Sequence, residues 1–314
     1  MKINANFHTH TTFCDGSDTP ESVIKEAVRK GFTELGFSGH VDPGVSMDIP
    51  AYIREIKRLQ EQYREDIDII RGVELDNVYD PYAAEDTEYY IGSTHFVPVQ
   101  GSDVWNRTVP YGTHRENQPD CDICGVDASV DLLHDHCRKY FHDDFYEMSE
   151  RYYAFEALIC DRMKPAFIGH FDLITRFNDL SKEDGGHFLD ETSEKYLVPA
   201  RKAMEKLAGY GIPFELNLGA VNRGRKKEAY PGTELLRYLR ELGGEILISS
   251  DAHQKELLDG CFDEAIETAK GLGFRHVNIL VREMKDSDDP ELYREALNTR
   301  SDNGRRLFWK KLML

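Results

Sequence analysis

Ile3-Asn4-Ala5-Asn6-Phe7-His8-Thr9-His10 opens the chain, and Cys14-Asp15-Gly16 follows closely. Residues 3–10 read as a short extended segment. Histidines at i and i+2 on such a segment project from one face, so both imidazoles can reach one metal ion. Residues that can ligate a metal recur at the ends of later strand-like runs. Glu34-Leu35-Gly36-Phe37-Ser38-Gly39 ends at His40, and the run from Ile67 ends at Glu74-Leu75-Asp76. Tyr89 to Phe96 carries His95, Pro165 to Asp172 carries His170, and the run from Glu245 closes on Ser250-Asp251-Ala252-His253. Phe214 to Leu218 is a further strand-like run.

Helical stretches separate these runs. Thr19 stands as N-cap before Pro20, and the apolar positions Val23, Ile24, Ala27 and Val28 lead to a stop at Gly31. Residues 51–63 repeat the helical spacing through Tyr52, Ile53, Ile56, Leu59 and Tyr63. Further helices are expected over 128–160 as one long element, 190–210, 231–243 and 256–271. Alternation at this spacing specifies an α/β protein with a parallel sheet. The sheet could be open or closed, but ligands carried by strands 1, 2, 3, 4, 5 and 7 have to converge on one spot. A barrel gathers every carboxyl-end loop around one mouth, whereas an open sheet spreads them along an edge. A closed barrel of about seven units is therefore expected.

Two segments fall outside the alternation. From about 98 to 127 the pattern lapses into Pro, Gly, Asp and Asn, with Trp105, Arg107, Tyr111, His114 and Arg115 interspersed, which reads as an ordered lid. His276 to Leu280 is strand-like with no ligand after it and is expected at the periphery. The tail Arg305 to Leu314 is expected to dock against the body of the protein rather than to lie on a membrane as an amphipathic helix.

Composition narrows the classes of function. The 314 residues carry a net charge of −18, which disfavours an extended polynucleotide partner because phosphate-binding surfaces present a basic stripe. It leaves room for a small phosphorylated substrate, since bound divalent cations reverse the local field. No apolar run approaches the roughly 18 residues of a membrane span, and the first residues lack a signal-peptide core, so a cytoplasmic location is expected. Six scattered cysteines fit reduced thiols. Cys121-x-x-Cys124, with His134, His136 or Cys137 downstream, is a possible structural zinc site pinning the lid, although its spacing matches no dense zinc motif.

His8, His10, Asp15, His40, Glu74, His95, His170, Asp251 and His253 are thus the candidate metal ligands. They exceed what one four-coordinate ion can use, which points to a multinuclear centre. Imidazole and carboxylate donors without thiolate suit Zn, Mn or Fe rather than Ca or Mg.

In this order the motifs His8-Thr9-His10 with Asp15, Gly39-His40, Glu74, Ser93-Thr94-His95, Gly169-His170 and Ser250-Asp251-Ala252-His253 resemble the polymerase and histidinol phosphatase (PHP) superfamily of metal-dependent phosphoesterases. The run Phe167 to Ile174, and Glu215-Leu216-Asn217 followed by Arg223, are similar to its monofunctional histidinol-phosphate phosphatases. The resemblance implies a distorted (β/α)7 TIM-like barrel, one domain over 1–314 with the lid as an insertion, and three divalent metal ions. His8, His10, Glu74 and Asp251 would hold the first ion, Glu74, His95 and His170 the second, and Asp15, His40 and His253 the third. It also makes Glu74, Asp251 and His253 the catalytic set and Ser93, Arg176 and Arg223 the phosphate contacts. The implied activity is hydrolysis of histidinol phosphate, a step of histidine biosynthesis, by a metal-bridging hydroxide attacking phosphorus. The rival readings are a PHP phosphoesterase acting on nucleotides or other phosphoesters, and a non-catalytic binding module.

Overall fold

The computed structural model describes residues 2–111 and 122–314. In chain order its elements are β1 (Ala5–Asn6), α1 (Pro20–Lys30), β2 (Glu34–Val41), α2 (Ile49–Gln62), β3 (Asp68–Asp76), β4 (Tyr89–Ser93), β5 (Phe96–Pro98) and β6 (Ile123–Gly125). There follow α3 (Val130–Tyr140), α4 (Phe145–Glu156), α5 (Ile159–Arg162), β7 (Phe167–Ile168), α6 (Glu194–Ala208), β8 (Phe214–Asn217), α7 (Gly219–Asn222) and α8 (Thr233–Glu241). The chain ends with β9 (Ile246–Ser249), α9 (Phe262–Gly271), β10 (His276–Val281), β11 (Tyr293–Glu295) and β12 (Phe308–Met313).

Seven strands pair in the order β1-β2-β3-β4-β7-β8-β9, every pair parallel. The ring closes beyond the regular ladders, through a parallel bridge between Thr9 and Ala252. Its hydrogen bonds run from His10 N to Ala252 O at 2.8 Å and from Ala252 N to His8 O at 3.2 Å. The expected seven-unit, TIM-like barrel is therefore present, and its seam lies between two pairs of candidate ligands. One unit departs from βα alternation. Between β3 and β4, residues 77–88 make the crossover with a short 3-10 turn, Pro81–Ala84, in place of an α-helix.

Local chemistry explains the helix boundaries. The Thr19 hydroxyl caps α1 by accepting from Ser22 N, and Gly31 ends it at φ 81° in the left-handed region. Val23, Ile24 and Ala27 are the buried face of that helix. The single helix expected over 128–160 is broken in three. His142 and Asp143 take φ values of 55° and 60°, and the Asp144 carboxylate starts a new N-cap on Tyr146 N and Glu147 N. Likewise the last barrel helix begins at Phe262 rather than near 256, because the chain turns through Cys261 at φ 55°.

Inside the barrel the large Tyr89 ring fills the space over Gly36 and Gly72, where a Cβ on either glycine would overlap it. Its hydroxyl lies 2.6 Å from Phe7 O and 3.1 Å from Phe37 O, so the ring spans the interior from β4 to β1 and β2.

The carboxyl-terminal segment covers the amino-terminal face. The tail is a strand, β12, in an antiparallel sheet ordered β10-β12-β11, and buried Trp309 sets its ring 6.2 Å from that of Phe167. Arg282 donates to Asp68 Oδ1 at 2.6 Å and to Ile69 O at 2.7 Å, and Arg71 donates to Asp302 Oδ1 at 2.6 Å. The peripheral position expected of 276–280 is observed. Of the lid, β5 and β6 form an antiparallel hairpin, and Arg162 holds the loop between them through Val104 O and Arg107 O, each at 2.9 Å. His114, Arg115 and Cys121 lie outside the described residues. Among the described residues no helix is long and apolar enough to cross a membrane.

Candidate metal centre

All nine candidate ligands gather at the carboxyl ends of the barrel strands. His40 and Glu74 sit within β2 and β3 and face each other in register. The others lie where strands give way to loops, so their side chains turn inward over the mouth. Asp251 adopts φ 47°, an uncommon conformation of the kind that clusters at functional sites. Its side chain occupies the space where a Cβ on Gly219 would stand.

Glu74 is the hub. Its Oε2 faces His8 Nε2 at 3.2 Å, His10 Nε2 at 3.5 Å and His40 Nδ1 at 3.0 Å. Its Oε1 faces His170 Nε2 at 2.6 Å and His95 Nε2 at 3.2 Å. Asp251 Oδ1 joins the first group, 3.2 Å from His10 Nε2 and 3.7 Å from His8 Nε2. On the outer side, Asp15 Oδ2 lies 3.1 Å from His253 Nε2, and Oδ1 lies 3.6 Å from His40 Nε2. The sets overlap more than three separate ions would require. His10 is stacked between His40 and His253, at centroid distances of 4.2 and 4.3 Å, and its ligand atom falls with theirs and that of Asp15. His40 falls also with Glu74 and His95.

Whether this cluster fits metal ions is decided by its unsatisfied atoms. His8 Nε2, His10 Nε2, His40 Nδ1, Glu74 Oε2 and Asp251 Oδ1 are buried without hydrogen-bond partners. Converging lone pairs of this kind are costly unless a cation lies among them. The electrostatics are divided. Burial opposes the charged form of His8, His40 and His95, yet Glu215 beside His8 and Glu74 beside His40 and His95 hold all three well above the usual imidazole value, so they carry protons that bound cations would displace. Burial, reinforced by His40 and His253, pushes His10 down to about 3 and keeps it a neutral donor. Burial opposes the charge on Glu74, yet His8, His40 and His95 hold it well below the usual carboxylate range. Metal ligation needs neutral imidazole and ionised carboxylate.

The family model for the PHP domain matches residues 6–217. The chain belongs to the PHP family. A curated relative named "Probable histidinol-phosphatase" from Schizosaccharomyces pombe is 24% identical over 282 residues, covering 81% of each chain. One of the same name from Deinococcus radiodurans is 25% identical over 300 residues, covering 88% of this chain and 97% of its own. The solved histidinol phosphate phosphatase of Lactococcus lactis subsp. lactis, complexed with zinc, L-histidinol and phosphate, has 19% identity and a TM-score of 0.58. It covers 87% of this chain and 95% of that one, a likeness of fold. The family match stops at residue 217, so Asp251 and His253 of this PHP site are placed by the fold itself.

The mouth of the PHP barrel is a cavity of about 440 Å³. Arg176 and Arg223 both line it. Arg223 bonds Asp251 O at 3.1 Å and approaches His253 Nδ1 at 2.9 Å, while Arg176 pairs with Asp127 Oδ2 at 3.3 Å. Ser93 is not among the lining residues. Its hydroxyl is fully buried and packs towards Gly169.

Sequence reasoning missed the carboxylates that orient the histidines. Glu215, fully buried, holds His8 Nδ1 at 2.6 Å and also accepts from His170 N and the Ser249 hydroxyl. Asp76 lies 3.1 Å from His95 Nδ1 and accepts from its backbone N–H, and Asp42 lies 2.8 Å from His40 Nδ1. The signal for Glu215 was present as an acid inside the apolar run Phe214 to Leu218, where an unpaired charge would be expensive. Arg225, Asp127 and Tyr230 also line the mouth and had no such signal. As for a zinc site in the lid, Cys121 is outside the described residues. His134 Nε2 lies 2.7 Å from Gly185 O and His136 Nδ1 lies 3.4 Å from Gly125 O, so both rings have other partners.

Proposed function

We propose that this chain is a phosphomonoesterase that hydrolyses histidinol phosphate to histidinol and phosphate, with three divalent ions, Zn, Mn or Fe, at the barrel mouth. One observation carries the reading: Glu74 presents one oxygen to each of two imidazole sets, beside two arginines that line the same cavity. The names of the relatives supply the substrate. The whole chain is read as one barrel domain with 98–127 as an insertion.

When bound, divalent ions here supply Lewis acidity and bring the pKa of a coordinated water from ~15.7 towards ~7. The protein's own groups do the rest. His8, His10, Glu74 and Asp251 would hold one ion, Glu74, His95 and His170 another, and Asp15, His40 and His253 the outermost. Glu215 and Asp76 fix the tautomers of His8 and His95 by engaging the ring nitrogen at Nδ1, and Asp42 lies beside the His40 ring. Arg176 and Arg223 present forked donors to the phosphoryl oxygens, adding to their charge neutralisation.

The test is turnover of histidinol phosphate by the Mn- or Zn-loaded protein, compared with AMP and a dinucleotide. Clear preference for histidinol phosphate is expected. Turnover confined to the nucleotides would replace the substrate, and inactivity on all three would point to a binding module.

A further inference from the structure

Five acidic residues line the mouth: Asp15, Asp42, Glu74, Asp127 and Asp251. Four of them are committed to imidazoles, Asp15 to His253, Asp42 to His40, and Glu74 and Asp251 to the inner histidines. Asp127 alone faces no histidine within bonding distance among the described residues, and its ion-pair partner is Arg176, at 3.3 Å. Arg176 in turn keeps a buried Nε without a partner. The pair is part-exposed, at 18% and 24%, and so can open into the cavity.

We propose that Asp127 is a specificity-determining residue that selects phosphate monoesters bearing an amine on the carbon next to the ester carbon. This rests on the phosphomonoesterase reading above. Arg176 and Asp127 pair with and neutralise each other. A phosphate dianion that claims Arg176 frees the carboxylate beside it, and an ammonium group two carbons from the ester oxygen reaches that carboxylate. Both charges are then paired again. A monoester without the amine takes the same arginine but leaves an uncompensated carboxylate next to its own negative charge, which is unfavourable in a partly desolvated site. Selection thus works by rejecting the wrong ester as much as by holding the right one.

The probes are phosphoethanolamine and propyl phosphate, which differ by an ammonium in place of a methyl, and histidinol phosphate itself, all with the metal-loaded protein. The wild type is expected to favour the amine-bearing ester in kcat/KM. Asp127→Asn is expected to reduce that preference about 10- to 100-fold, mostly through KM, and Asp127→Glu to restore part of it. An equal loss on both esters, or an unchanged preference, would overturn the proposal. If histidinol phosphate is turned over and the preference ignores Asp127, this proposal alone fails. If histidinol phosphate is inert while the preference responds, only the substrate named above is wrong. Absence of turnover on every ester overturns both.

Discussion

Glu215 shows how much of the centre depends on a residue that touches no ion site. It joins β8 to β1 through His8, to the loop after β7 through His170 N, and to β9 through Ser249. Replacing it with Gln should leave the barrel folded and loosen His8, lowering metal affinity about 10- to 100-fold, as seen when such supporting partners are removed. Chelator titration of wild type and Glu215→Gln would measure this. Asp251→Asn and His8→Ala should each release the same ion. Metal content that responds to one substitution and not the other would break the proposed grouping. The histidines were legible because imidazole at strand ends is a rare, chemically marked pattern. Asp76, Asp42 and Asp127 were not, since an acid following a strand reads equally well as a solvated loop. Only the fold brings each to its partner, His95, His40 or Arg176.

At the scale of elements, strands were easier to place than their limits. Residues 3–10 read as one strand, but only Ala5–Asn6 lies in the ladder, because His8 and His10 turn in over the mouth while Thr9 makes the seam. The break in the helix expected over 128–160 depends on two left-handed residues, His142 and Asp143, whose types are enriched at positive φ but are common enough inside helices not to mark a break. Tight packing within the barrel gives a direct test of element fit. Gly72→Ala would drive a methyl into the Tyr89 ring, and overpacking of this kind costs about 1–3 kcal/mol. Urea denaturation is expected to show that loss, and the double variant Gly72→Ala, Tyr89→Leu should recover part of it by making room.

For the molecule as a whole, the carboxyl-terminal sheet acts as a floor bolted on by charge. Glu245, just before β9, bonds Arg294 of β11 and lies 3.4 Å from His276 of β10. Burial works against its ionisation, but His276 and Arg294 outweigh it and hold its carboxyl down at about 2, against an ordinary 4.5. The folded pKa is the lower one, so this stabilisation is complete above about 4.5 and is lost as pH falls towards 2. At roughly 1.4 kcal/mol per unit it amounts to at most about 3.5 kcal/mol. Glu245→Gln should therefore be less stable than wild type at pH 7, with the gap in denaturation free energy shrinking between pH 4.5 and 2. At the opposite face the ring closes without a regular ladder, through the Thr9–Ala252 bridge between His8 and His10 on one side and Asp251 and His253 on the other, with Asn6 and Ser250 bonded beside it. If His8, His10 and Asp251 share an ion, that ion rivets the seam. Stripping the protein with a chelator should then speed amide hydrogen exchange at His10 and Ala252 well before the central β2 and β3 amides respond. The barrel's weakest joint and its reactive centre would open together, so metal loss would register first as a local breathing motion.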